Sequence, residues 1–207
     1  MTNVLKGIRK PLLVSVVLLF ICGLAYPLLL TGISHILFPN QANGSLVTIN
    51  GQAVGSKLIG QDFSDPRFMK SRPSAVNYNT YTQEDKKSGD YTGPGSGSNN
   101  YAATNPEVVK RAEADLSEFL KANPSIQRED IPTDLLTASA SGLDPHISPA
   151  SAAVQIPALA ESTGLSQEML ETIVKKNTKG KLIGIFGEET VNVLMINLDI
   201  AKELGLI

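Results

Sequence analysis

LLVSVVLLFICGLAYPLLLTGISHILF, residues 12–38, is apolar apart from small or weakly polar residues and His35. As a helix rising about 1.5 Å per residue it would run roughly 40 Å, more than the ~30 Å hydrocarbon core of a bilayer. Residues 12–36 therefore read as a transmembrane helix. Between Lys10 and Lys57 the chain has no Asp, Glu, Lys or Arg. Lys6, Arg9 and Lys10 stand just before the apolar run, and no comparable basic cluster follows closely. The positive-inside rule then places residues 1–11 in the cytoplasm and the remainder outside it.

Two cleavage readings compete with a retained anchor. Gly23-Leu24-Ala25 could serve a signal peptidase, and Leu19-Phe20-Ile21-Cys22 loosely matches a lipoprotein signal with Cys22 lipidated. A signal core is about 7 to 15 residues long, whereas this one continues past both sites, and bulky Ile21 stands where a small residue belongs. Pro27 inside the span suits a helix packed against other protein, which satisfies the freed carbonyl. At 100° per residue Ser15, Cys22, Ala25 and Gly32 share one arc, a small-residue stripe that would let another helix approach closely. Small residues are also simply common in membrane helices, and a buried, inert Cys22 is the expectation.

Composition removes several function classes. With 207 residues the chain allows one ordinary domain beside the span, and a net charge of −2 with 5% aromatic residues does not suit phosphate recognition, so no nucleic-acid partner is expected. One cysteine and two histidines cannot build a disulfide framework or a Cys/His zinc site. All 20 acidic residues, and all of the 18 basic ones except Lys6, Arg9 and Lys10, lie beyond the span.

Residues 39–207 read as a single mixed domain, α+β or α/β. Leu46–Ile49, Asn50-Gly51 and Gln52–Val54 predict a hairpin with a type I′ turn. Residues 79–104, rich in Gly, Ser and Asn, predict a flexible surface loop. Asn105-Pro106 opens a helix whose Val109, Ala112, Leu116 and Phe119 recur at helical spacing until Pro124. Leu135–Ala138 predicts a buried strand or turn entry. Ser148-Pro149 opens another helix, which Pro157 must kink or restart, and Ser166 a third, stopped by Gly180. Leu182–Phe186 and Thr190–Ile196 read as strands, ahead of a terminal helix from near Leu198.

Motifs for chemistry are missing from the sequence: there is no phosphate-binding loop, nucleophile elbow or His-Glu-x-x-His helix, and no catalytic or metal-ligating residue is assigned. The run Ala138 to Pro149 holds Ser141, Asp144 and His146, but so short a segment cannot easily make nucleophile, acid and base converge. Its structural reading has Gly142 and the prolines setting turns, Asp144 and Ser148 bonding local backbone, and His146 anchoring the loop.

Several blocks in order resemble the C subunit family of the bacterial Kdp potassium-transporting ATPase. They are Tyr26-Pro27-Leu28 with Thr31-Gly32-Ile33, Leu37 to Leu46, Gly55 to Gln61, Phe68 to Ala75, Thr104-Asn105-Pro106, Ser139 to Pro149, and Gly187-Glu188 with Val191 to Leu194. The likeness is nearly full-length, departing at Gly95 to Ala103. It implies a single-pass accessory subunit in the bacterial inner membrane. Its implied partners are a channel-like, potassium-binding A subunit and an ATP-hydrolysing B subunit of the P-type class. It also implies a catalytic-chaperone role that raises the ATP affinity of the B subunit, so ATP would belong to that subunit and no cofactor to this chain. Gln155 is the candidate for nucleotide contact, which the positive-inside orientation opposes, leaving an indirect route through the membrane helix. Arg72, Asp144, His146, Glu188 and Asn192, each in a family-like block, are the candidate partner-contact or loop-anchoring residues. The alternatives are a membrane-tethered extracytoplasmic hydrolase and a solitary binding module.

Overall fold

A backbone surrounded by apolar side chains must satisfy its own hydrogen bonds, and a helix does so within one segment. The computed structural model of the chain shows that helix as α1 (Thr2–Phe20), a π-helical turn (Ile21–Ala25) and α2 (Tyr26–Leu37). The structure describes residues 2–89, 93–102 and 104–207, with side chains from residue 7 onward. The Lys6 side chain, and residues 90–92 and 103 of the expected loop, lie outside the described residues. Gly7–Leu37, 31 residues, is long and apolar enough to cross a membrane, and none of it is buried. His35 Nδ1 lies 2.9 Å from the Thr31 carbonyl. A carbonyl only accepts, so Nδ1 carries the proton.

The π turn has a local cause. Pro27 brings no N–H and its ring crowds the carbonyl four residues back. Widening the preceding turn, with Tyr26 N–H donating to Ile21 O, relieves that crowding. Cys22 and Ala25 lie within the widened turn, Ser15 before it and Gly32 after it, so an ideal 100° wheel does not carry from one end of the stripe to the other.

Two compact units make up the chain, Met1–Leu46 and Val47–Ile207. α3 (Pro39–Ala42) lies in the first unit, where Ala42 N donates to Phe38 O and Ser45 N to Asn40 O, both at 2.9 Å.

From the last residue of the first unit into the second, β1 (Leu46–Ile49) and β2 (Gln52–Ser56) form the expected hairpin, with Asn50 and Gly51 at φ 50° and 80°. The expected loop 79–104 contains a helix, α4 (Gln83–Ser88), started by a capping box in which Asp85 N donates to Thr82 Oγ1 and Thr82 N to Asp85. No apolar periodicity follows that box, so the sequence carries no amphipathic signal for the helix. The loop is also pinned: Gly95 N donates to Asn79 Oδ1 at 2.8 Å and Gly97 N to Ser141 O at 2.8 Å. α5 (Pro106–Ala122) starts where Asn105 accepts from Glu107 N. It buries Leu116, while Val109 is exposed. Leu135–Ala138 takes the turn reading and not the strand one: Leu135 closes the 3-10 segment Thr133–Leu135 and Leu136 caps it.

The last third carries β3 (His146–Ile147), α6 (Pro149–Ala153), α7 (Ile156–Thr163), α8 (Gln167–Lys176), β4 (Thr178–Lys179), β5 (Thr190–Asn192) and α9 (Val193–Glu203). β5 is the middle strand of an antiparallel sheet, with β3 and β4 on either side. Pro157 restarts the helix as expected. α8 stops at Asn177, not Gly180, because the Asn177 side chain bonds back to Ile173 O at 2.9 Å. Leu182–Phe186 is an exposed turn, not a strand, and β5 ends at Asn192, whose side chain accepts from Met195 N. α9 therefore begins at Val193, well before Leu198.

Val193, Ile196 and Ile200 of α9 pack with Val191, Ile147, Leu159, Leu170 and Ile173 in the main core. Leu116, Ile131 and Leu135 form a second one. Between β2 and α5 the described residues are mostly irregular, so their backbone needs other partners. Asn197 supplies both for Met69: Met69 N donates to Oδ1 at 2.8 Å and Nδ2 donates to Met69 O at 2.9 Å. Gln155 does the same for Lys70, at 2.8 and 3.2 Å, and also donates to Ser151 O.

Candidate functional site

The antiparallel register opposes His146 of β3 to Asn192 of β5. Asp144 stands two residues before His146 and accepts its backbone N–H at 3.0 Å, an Asx turn of the kind that short acidic side chains form with local backbone. The same Oδ1 lies 3.4 Å from His146 Nδ1, while Oδ2 accepts from Arg72 Nη1 at 3.3 Å. Arg72 also donates to Thr137 O. On the other side of the ring His146 Nε2 is 3.5 Å from Asn192 Nδ2, which donates to Lys57 O at 2.9 Å. Because Asn192 Oδ1 accepts from Met195 N, its Nδ2 must be a donor, and the His146 tautomer that fits carries its proton on Nδ1, toward Asp144.

Four of the five candidate residues thus join one chain of contacts, Arg72 to Asp144 to His146 to Asn192. Glu188 does not: it pairs with Lys181 at 3.2 Å and is 85% exposed. Ser141 Oγ accepts from Leu143 N at 3.1 Å, while His146 Nε2 faces the Asn192 carboxamide. That geometry fits loop anchoring. Gln155 is buried, with its carboxamide engaged by Lys70 and Ser151. Among the described residues no three or more His, Cys, Asp or Glu side chains gather to hold a metal ion.

The Ser139 to Pro149 run is held from several sides. Gly60 N donates to Leu143 O at 2.7 Å, Ser74 Oγ to Gly142 O at 2.6 Å, and Val193 N to Pro145 O at 3.0 Å. Ser148 caps α6 by accepting from Ser151 N, and both serine hydroxyls donate to Asp134. Asp134 and Tyr78 are the members that sequence reading missed. Tyr78 donates its hydroxyl to Arg72 O from a left-handed backbone, with Asn77, Tyr78 and Asn79 at φ 47°, 49° and 55°. Burial, partly offset by a hydrogen bond with Ser71, pushes its phenol up to about 12, so it remains a neutral donor. Asn on both flanks was a usable signal, since Asn tolerates that conformation better than most residues.

The His146 side-chain hydrogen bond is the largest influence on the Asp144 carboxyl. With the His146 amide and the electrostatic attraction of His146 and then Arg72 it outweighs burial and holds Asp144 below the usual carboxylate range. A folded-state value below the unfolded one, near ~3.9, makes Asp144 stabilising above that pH, and the contribution disappears as pH falls through the folded value. Asp144→Asn is expected to lower stability at pH 7 and to flatten its decline below about pH 4. Acid unfolding curves of the same slope for both proteins would contradict this.

An apolar span of membrane-crossing length, followed by a mixed helix-and-strand unit, defines a membrane-associated protein with one candidate transmembrane helix among the described residues. The polar candidates of its second unit are tied largely to one another and to backbone. A family model described as KdpC, K+-transporting ATPase, c chain, matches residues 8–202. The chain belongs to the KdpC family, subunits of the potassium-transporting ATPase complex. It is 73% identical to the potassium-transporting ATPase KdpC subunit of Clostridium kluyveri over 206 residues, covering 100% of this chain and 98% of that one. Identity to the protein of the same name from Clostridioides difficile is 58%, over 98% of this chain and 100% of the relative. For that of Caldanaerobacter subterraneus it is 43%, over 96% of each.

Proposed function

We propose that the chain is a single-pass accessory subunit whose residues 1–11 face the cytoplasm and whose second unit lies outside the bacterial inner membrane. There it supports assembly and the pore entrance of a channel-like, potassium-binding A subunit, beside an ATP-hydrolysing B subunit of the P-type class. The observation that carries this is the family match across nearly the whole chain, span included. Arg9 and Lys10 before the span, with no charged residue again until Lys57, support the orientation. The packing of the small residues along the span against the A subunit belongs to the same proposal.

Any effect on ATP belongs to the B subunit and reaches it through the membrane helix, a reading supported by the internal engagement of Gln155. The hydrolase and solitary-module alternatives are not favoured. Deleting residues 47–207 from the chain in the complete complex is the test. Loss of assembly and of potassium-stimulated ATP hydrolysis is expected, and a complex that assembles and turns over unchanged would overturn the proposal.

A further inference from the structure

The turn between β4 and β5 is built unlike an ordinary soluble surface. Leu182 N donates to Phe186 O at 2.8 Å and Phe186 N to Leu182 O at 3.0 Å, closing a ring around residues 183–185. Leu182, Ile183, Ile185 and Phe186 are 66%, 80%, 72% and 64% exposed. Ile183 has φ 55°, a left-handed backbone that a β-branched residue rarely adopts, beside Gly184 at 74°. The strain does not serve to bury the Ile183 side chain. Clustered apolar exposure marks interaction surfaces, and strained backbone gathers at binding elements.

We propose that Leu182–Phe186 is a preformed knob by which the second unit docks into an apolar pocket on another protein subunit of the potassium-transporting complex. This rests on the accessory-subunit reading above. Charge decides between a protein pocket and the bilayer. Lys181 pairs with Glu188 at 3.2 Å, and with Lys179 and Glu189 the residues flanking the turn in sequence, 178–190, carry equal numbers of each sign. A balanced polar rim around an apolar centre is the anatomy of a protein interface, whereas attraction to anionic lipid calls for excess cations. Shape agrees with charge. A closed ring has little conformational freedom left to lose on entering a pocket, and fluid lipid rewards no such preorganisation.

Ile183→Cys in a Cys22→Ala chain, probed with a water-soluble maleimide, tests this. Three samples suffice: the full chain in detergent, the full chain alone in phosphatidylethanolamine–phosphatidylglycerol nanodiscs, and the complete complex in the same nanodiscs. Labelling at least tenfold slower in the complex only is the expected result. Equal rates in all three would overturn the proposal, and protection in nanodiscs without partners would assign the knob to the bilayer instead. Ile183→Asn keeps a residue that tolerates the left-handed backbone, so the chain should melt no lower than wild type while complex retention on dilution falls at least tenfold. Undiminished retention would overturn the knob. If deleting residues 47–207 disrupts the complex while Ile183→Asn and the maleimide rates change nothing, only the docking inference fails.

Discussion

Replacing Asn197 with leucine should cost the second unit about 4 kcal/mol, although the substitution is close in size and sits in an apolar core. Asn197 is 2% exposed and gives Met69 both of its backbone partners, 128 residues away in sequence. Leucine would leave one buried N–H and one buried C=O unpaired, each costing about 1–3 kcal/mol. That is a large share of the ~5–15 kcal/mol that holds a domain together. Gln155→Leu should cost less, because the Lys70 backbone groups that it serves are only partly buried. With no tryptophan in the chain, circular dichroism of the purified protein during denaturant unfolding is the suitable readout. A loss below about 1 kcal/mol for Asn197→Leu would mean that Met69 finds other partners.

Gly142→Val should be comparably damaging. Gly142 has φ 67°, and a Cβ there would sit 2.8 Å from both Gly97 O and Val76 Cγ2. The left-handed backbone alone costs a side chain about 1–2 kcal/mol, more when it is β-branched. The carbonyl it meets cannot retreat freely, because Gly97 N is bonded to Ser141 O on the same segment. We expect a total near 4 kcal/mol. Gly142→Ala should fall lower on the same scale, since it shares the backbone strain but brings less bulk. A valine variant that unfolds within about 1 kcal/mol of wild type would show that the two segments part easily. Gly60 meets the same run from another side, where a Cβ would lie 2.6 Å from Asp144 O.

Much of the local structure was legible in the sequence because its causes are local. Asn50-Gly51 makes its own turn. Asn105-Pro106, Ser148-Pro149 and Ser166 start helices with side chains that reach only two or three residues. The misreadings have local causes of another kind. Leu182–Phe186 has strand-like composition, but the positive φ at Ile183 and Gly184 closes it into a turn. Asn192 looked like one more strand residue, yet its side chain caps the helix that follows. At the candidate site, Arg72, Asp144, His146 and Asn192 were legible as residues in resembling blocks, but not as one connected set. Tyr78 and Asp134 carried no periodic signal.

The sequence by itself determined the membrane-length apolar helix with its basic start, the hairpin, most helix starts, and membership in a potassium-transporting ATPase family. Each rests on composition or on interactions within a few residues, and so survives without knowledge of the chain's path. Only the tertiary structure decided that Arg72 reaches Asp144, that His146 faces Asn192, and that Asn197 and Gln155 serve as backbone partners for an irregular segment. It also decided that an apolar run in the last third stays exposed. Those contacts join residues tens to more than a hundred positions apart, and their hydrogen-bond capacity could have been used in many ways until packing of the core brought particular donors and acceptors together.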